Sequence, residues 1–149
     1  EVYTNSKDIK NKIEKLDSSI DVKIEEDISQ IELSRKIWLK CGGFITIDST
    51  EALTAIDVNS GKFTGKCNLE DTVLKVNMEA TDEIAKQIRL RDIGGIIIVD
   101  YIDMEKEEDK ERIRKQMEEA VKQDRSKVQV LEFTKLGLLE ITRKHLLGR

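Results

Sequence analysis

Leu53-Thr54-Ala55-Ile56-Asp57-Val58-Asn59 and Ile96-Ile97-Ile98-Val99-Asp100-Tyr101-Ile102-Asp103 are two short apolar runs that each reach an aspartate. Their β-branched content reads as strand. A carboxylate at the end of a buried run is costly unless it meets a cation, a hydrogen-bond donor or the N-terminus of a helix. If the two runs are neighbouring strands, their ends set two carboxylates side by side. Repulsion between them then favours a divalent cation, and Mg²⁺ takes one or two carboxylates and completes its shell with water and substrate phosphate. Alternation along an extended chain turns Asp57 and Asn59 the same way, with Ile56 and Val58 toward the core. Strand-end aspartates also cap helices or bond to adjacent loops, so a metal pair is one of two readings at this point.

Upstream, Ile37-Trp38-Leu39 and Phe44-Ile45-Thr46-Ile47-Asp48 are strand-like runs joined across Lys40-Cys41-Gly42-Gly43, and Ser49-Thr50-Glu51 turns into the first key strand. Downstream, residues 59–68 shift to Gly, Lys, Thr and Ser, a loop. Asn68 with Asp71 resembles a capping box for a helix over 69–91 that buries Leu69, Val73, Val76, Ala80, Ile84 and Ile88. Gly94-Gly95 is expected to stop it, and Arg89 and Arg91 suit its negative end. The second key strand is apolar on both faces, which predicts a central strand covered on both sides. A charged helix over 105–122 follows, with Ile113, Met117, Ala120 and Val121 inward and Asp103 as its expected N-cap in preference to a metal ligand. Residues 128–132 and 138–141 are the last strands.

The first forty residues read as helical: Ile9, Ile13 and Leu16 follow the cap candidate Ser6, Asp17-Ser18-Ser19 is a break, and a short helix over 27–35 would turn Ile28, Ile31 and Leu33 inward. They hold too little apolar surface for a core of their own. The order ββαβαββ predicts an α/β (α+β) fold, a mixed sheet with flanking helices, in residues 41–149 with a lead-in over 1–40.

Composition narrows the partners. Of 149 residues, 38% are hydrophobic and 38% charged, with net charge −4 and no proline. Residues 1–40 carry 8 basic and 9 acidic groups, and 41–149 carry 18 and 21, so neither part is a basic platform for nucleic acid on its own. No apolar stretch approaches the ~20 residues of a membrane span, and no signal-peptide pattern is present, which predicts a cytoplasmic, non-membrane protein. Cys41 and Cys67 form no CxxC pair and predict neither disulfide framework nor zinc site. His145, the only histidine, sits among basic residues and reads as a surface group. Asp48 is a possible third acid or an ordinary turn residue.

These residues together resemble the ribonuclease E/G family. The resemblance runs through Asp48-Ser49-Thr50-Glu51-Ala52-Leu53-Thr54-Ala55-Ile56-Asp57-Val58-Asn59-Ser60, Asn77-Met78-Glu79-Ala80, Arg89-Leu90-Arg91-Asp92-Ile93-Gly94-Gly95, Asp100-Tyr101-Ile102-Asp103-Met104, Gln123-Asp124-Arg125-Ser126-Lys127 and Gly137-Leu138-Leu139-Glu140. It implies the DNase I-like subdomain of an Mg²⁺-dependent endoribonuclease (Mn²⁺ a substitute) that cuts single-stranded RNA in rRNA, mRNA and tRNA processing and decay, leaving 5′-phosphates. By that likeness Asp57 and Asp100 are metal ligands and catalytic, Asn59 supports them, and Lys127 falls where the family often has an RNA-binding Arg. Residues 1–40 would be the helical end of an RNase H-like subdomain. The resemblance further implies S1 and 5′-sensor domains before Glu1, and Zn²⁺-binding cysteines and an oligomerising domain after Arg149, so that the chain is expected to be a fragment of a homo-oligomeric ribonuclease G-like enzyme. Two other readings stand beside it: an interaction module without RNA binding or activity of its own, and a DNA nuclease sharing the metal logic.

Overall fold

The computed structural model describes residues 1–24, 33–61 and 69–146, without the side chains of Leu69 and Glu70. The chain forms two compact units, Glu1–Ser34 and Arg35–Arg149. The break precedes the expected 40/41 boundary because Lys36–Trp38 is a strand of the second unit's sheet.

In the first unit, β1 (Val2–Thr4) and β2 (Val22–Ile24) pair in parallel around helix α1 (Lys7–Leu16). The sequence pattern predicts helices alone here; the two strands are only three residues each, too short to show an alternation. Ser6 does cap α1, its Oγ accepting from the Ile9 amide at 3.4 Å, and Asp17 ends it. No α1 residue is buried within the unit, and Leu16 is 87% exposed. The helix expected over 27–35 falls mostly outside the described residues, as do Cys67 and the Asn68 cap.

The second unit is a six-stranded mixed sheet, β3 (Lys36–Trp38), β4 (Phe44–Ser49), β5 (Leu53–Asn59), β6 (Gly95–Asp100), β7 (Val128–Phe133) and β8 (Leu138–Arg143), in the order β3-β4-β5-β6-β8-β7. Helix α2 (Leu69–Leu90) makes the crossover between the parallel strands β5 and β6, and α3 (Glu107–Ala120) follows β6. Over residues 41–149 the order is ββαβαββ, as the sequence predicts, and Lys36–Trp38 adds one further strand ahead of it. No helix among the described residues is long and apolar enough to cross a membrane.

The core lies on one face of this sheet. Ile45 and Ile47, Ile56 and Val58, Ile97 and Val99, Leu139 and Ile141 alternate inward and are buried. They meet Val76, Ala80, Ile84 and Ile88 of α2, and Ile113 and Met117 of α3, which is the helical stripe the sequence predicts. Each large aliphatic side chain buried here stabilises the fold by about 1.5–3 kcal/mol, and together they hold the helices to the sheet.

Three expectations need correction. First, β6 is central but among the described residues of the second unit its cover is one-sided: Ile96 is 50% exposed and Ile98 half-buried, because α2 and α3 both pack on the Ile97 side. Second, Asp92, not Gly94-Gly95, stops α2. Asp92 takes a left-handed backbone (φ 48°), its amide bonds to the Arg89 carbonyl at 3.2 Å, and the Ile93 amide bonds to the Ile88 carbonyl at 3.0 Å. This paired termination brings Ile93 onto Ile88 in the core and satisfies two orphan carbonyls. Third, Asp103 does not cap α3. The helix starts at Glu107 with Lys106 at the cap, and the acidic first turn Glu107, Glu108 and Asp109 complements the helix dipole in its place.

Candidate functional site

Asp57 of β5 and Asp100 of β6 are direct register partners across parallel strands. Adjacent strands lie about 4.8 Å apart, so the two carboxylates stand side by side on the sheet face opposite α2 and α3. Both are exposed. The Asn59 side-chain amide donates to Asp57 Oδ2 at 3.1 Å, which fixes the orientation of that carboxylate. Burial first, then the charges of Asp57 and Asp103, push the Asp100 carboxyl above its ordinary value. Two acids held close enough to raise a pKa form a donor set that fits a hard divalent cation, which removes the repulsion. Among the described residues no larger group of three or more His, Cys, Asp or Glu is placed to hold a metal.

Three residues of α2 position this face. Asn77 is fully buried; its Nδ2 donates to the Ile102 carbonyl at 2.9 Å and its Oδ1 accepts from the Ile102 amide at 3.2 Å. It therefore pins the chain two residues beyond Asp100. Thr81, one turn on, donates to the Asn77 carbonyl and shares a 2.7 Å hydrogen bond with the buried Tyr101 hydroxyl. Glu79 accepts from the Lys40 and Cys41 amides at 2.8 and 3.1 Å and fixes the β3–β4 turn. In that turn Gly43 lies so close to the site strand that a Cβ would sit 2.8 Å from the Asn59 carbonyl. Periodicity alone does not single out these positioning residues. The available signal is polar residues, Asn77 and Thr81, inside an otherwise apolar helical stripe. Asn77→Ala is expected to lower unfolding stability by about 1–3 kcal/mol, since it strands both polar groups of Ile102. Denaturant titration measures it.

Of the other candidates only Asp48 stands near the pair, on the neighbouring strand and one row from Asp57. Asp48 is in strand β4, not a turn, and both its oxygens are taken by Arg35 at 2.6 and 2.7 Å, which holds its carboxyl below its usual range. His145 is half-buried, its Nδ1 2.9 Å from the Asp92 carbonyl. Lys127 precedes β7 at the Gly95 end of the sheet, roughly 20 Å along the strands from Asp100, so the structure does not bring it to the pair. Cys41 is a free thiol that burial, and then Glu79, push upward.

The sequence model of the Ribonuclease E/G family matches residues 2–146. Ribonuclease G of Escherichia coli strain K12 is 50% identical over 121 residues, 81% of this chain and 24% of that protein. Ribonuclease E of the same strain is 48% identical over 120 residues, 79% of this chain and 11% of that protein. Ribonuclease G of Haemophilus influenzae is 46% identical over 119 residues, 80% of this chain and 24% of the relative. The chain thus spans about a quarter or less of the curated relatives it matches. With a match over nearly its whole length and the two aspartates in register, the chain belongs to the ribonuclease E/G family.

Proposed function

We propose that this chain carries the catalytic centre of a metal-dependent endoribonuclease acting on single-stranded RNA, with Asp57 and Asp100 as metal ligands. The observation that supports this most is the register pairing of two exposed carboxylates on neighbouring strands. Mg²⁺, or Mn²⁺ in its place, would when bound there lower the pKa of a coordinated water and offset negative charge on the phosphate. Asp57 and Asp100 supply the negative charge that holds the ion. Asn59 keeps the Asp57 carboxylate in one orientation. Asn77 keeps the Asp100 strand end from drifting through its two bonds to Ile102. The reaction balances as hydrolysis: water adds at phosphorus, the P–O3′ bond breaks, and the products are a 3′-hydroxyl and a 5′-phosphate. His145 is held at the far end of the sheet, so the acid–base work does not call on an imidazole.

With a net charge of −4 the chain offers little phosphate grip. In this reading RNA capture, 5′-end sensing and assembly belong to S1, 5′-sensor and oligomerising domains of the kind the family resemblance implies, and Lys127 meets RNA away from the scissile bond. The test compares single-stranded RNA with single-stranded DNA of the same sequence, with Mg²⁺ and with EDTA. RNA cleavage that needs the metal supports the reading. Equal cleavage of DNA would make it a general nuclease. Absence of cleavage together with no saturable Mn²⁺ binding below tens of millimolar would favour the interaction-module reading, to which a site of only two carboxylates is open.

A further inference from the structure

The chain has one tryptophan, and it is on the surface: Trp38 is 52% exposed on the edge strand β3. A second aromatic pair, Tyr101 and Phe133, lies against the core, whereas Trp38 is on the sheet face opposite α2 and α3. Its ring meets Phe44 of β4 at 5.2 Å between centroids and 58° between planes. Lys36 Nζ lies over both rings, 4.2 Å from the Trp38 centroid and 4.0 Å from that of Phe44. Phe44 is half-buried and acts as a backstop, so Trp38 is the ring presented outward.

Register ties this cluster to the acid pair. Lys36, Thr46, Asp57 and Asp100 are successive partners across four strands, and Trp38, Phe44 and Asn59 form the next row on the same face. At about 4.8 Å per strand and 3.3 Å per residue, Trp38 stands roughly 12 Å from Asp57. An exposed tryptophan carries a wide π-face, and a nearby ammonium suits a phosphodiester. Together they fit a nucleotide: base on the ring, phosphate toward Lys36. A lysine on an edge strand also guards against strand pairing, but that role needs no tryptophan beside it.

We propose that Trp38, backed by Phe44 and Lys36, is a stacking subsite for one unpaired base of the RNA strand whose phosphate lies at Asp57 and Asp100. This rests on the ribonuclease reading above. It adds a source of single-strand selectivity, because a base inside a duplex has both faces covered and cannot lie on the ring. Stacking also holds a strand without positive charge, which suits an acidic chain.

Because Trp38 is the sole tryptophan, its emission reports on this subsite alone. The full chain is titrated in EDTA, which prevents cleavage, with a short single-stranded oligoribonucleotide, an abasic strand of equal length, and a duplex. The expected result is saturable quenching by the single strand, and affinity at least about tenfold lower for the abasic strand and the duplex. Trp38→Ala should weaken binding of a labelled strand about tenfold by anisotropy, and Trp38→Phe should restore most of it, both read at a temperature where melting curves show each variant folded. No quenching at millimolar oligonucleotide, or equal quenching by the abasic strand, overturns the proposal. Asp57→Asn separates the two readings, since it should remove cleavage and leave quenching in place; quenching by a wild-type chain that neither cleaves RNA nor binds Mn²⁺ defeats the catalytic reading alone. Cleavage without quenching defeats the stacking subsite alone.

Discussion

Asp57→Asn and Asp100→Asn are each expected to lower metal-dependent RNA cleavage by about 10³-fold, from the several kcal/mol of charge stabilisation that a lost metal ligand withdraws. Neither should harm the fold. Asn keeps the shape of the side chain and removes one of two like charges that stand in register. Burial and the neighbouring acids already disfavour the charged form of Asp100, so at neutral pH its removal should leave the melting temperature unchanged or higher. Loss of activity with retained or increased stability is the signature of a ligand. A structural residue would give the reverse. Asn59→Ala should be milder, about 10–100-fold, because it only frees the Asp57 carboxylate to rotate.

Arg143→Met is expected to reduce unfolding stability by about 3–5 kcal/mol, read from denaturant titration. The Arg143 side chain is 0% exposed and Asp124 is 2% exposed; they share a two-pronged contact at 2.8 and 3.2 Å. Arg143 also donates to Asp92 Oδ1 at 2.8 Å and to the Ile93 carbonyl at 3.1 Å, so one guanidinium ties the end of α2, the turn before β7 and strand β8. Methionine would fill the space and leave Asp124 buried and without its guanidinium. The pH dependence carries a sign. Burial alone would raise Asp124, but the bonds from Arg143 and the Ser126 amide outweigh it and hold the carboxyl below its ordinary value. A group lowered on folding contributes stability that is complete above its unfolded pKa of about 3.9 and is lost as pH falls through the folded value. Wild-type stability should therefore drop on acidification below about pH 4, and that component should vanish in Arg143→Met.

The strand ends, the α2 and α3 stripes and the last hairpin are legible in the sequence because apolar period decides them. Ile97 and Val99 against Asp100, and Val76, Ala80, Ile84 and Ile88 along α2, sit where alternation and helical spacing put them. What is not legible depends on partners distant in sequence. The run Ile96 to Val99 is apolar throughout, yet whether a second layer covers Ile96 is decided by which face both helices take. Asp92 takes the left-handed turn that stops α2 and its carboxylate is held there by Arg143, 51 residues away, which no local rule for glycine caps anticipates. Asp103 fits a cap by type, but α3 begins too late for it to serve. Asn77 and Glu79 carry their meaning only once Ile102 and the Lys40–Cys41 turn lie beside them. The pairing of Asp57 with Asp100 joins two separate runs, and the β–α–β crossover through α2 is the link that makes those runs adjacent and parallel.

Crystals of the protein soaked in Mn²⁺ test the shared ion most directly. A cation held by both strands predicts one anomalous peak about 2.1 Å from carboxylate oxygens of Asp57 and Asp100 alike. A peak bound only by other acids, such as the Glu107-Glu108-Asp109 turn, with none between the two strand ends, would contradict it.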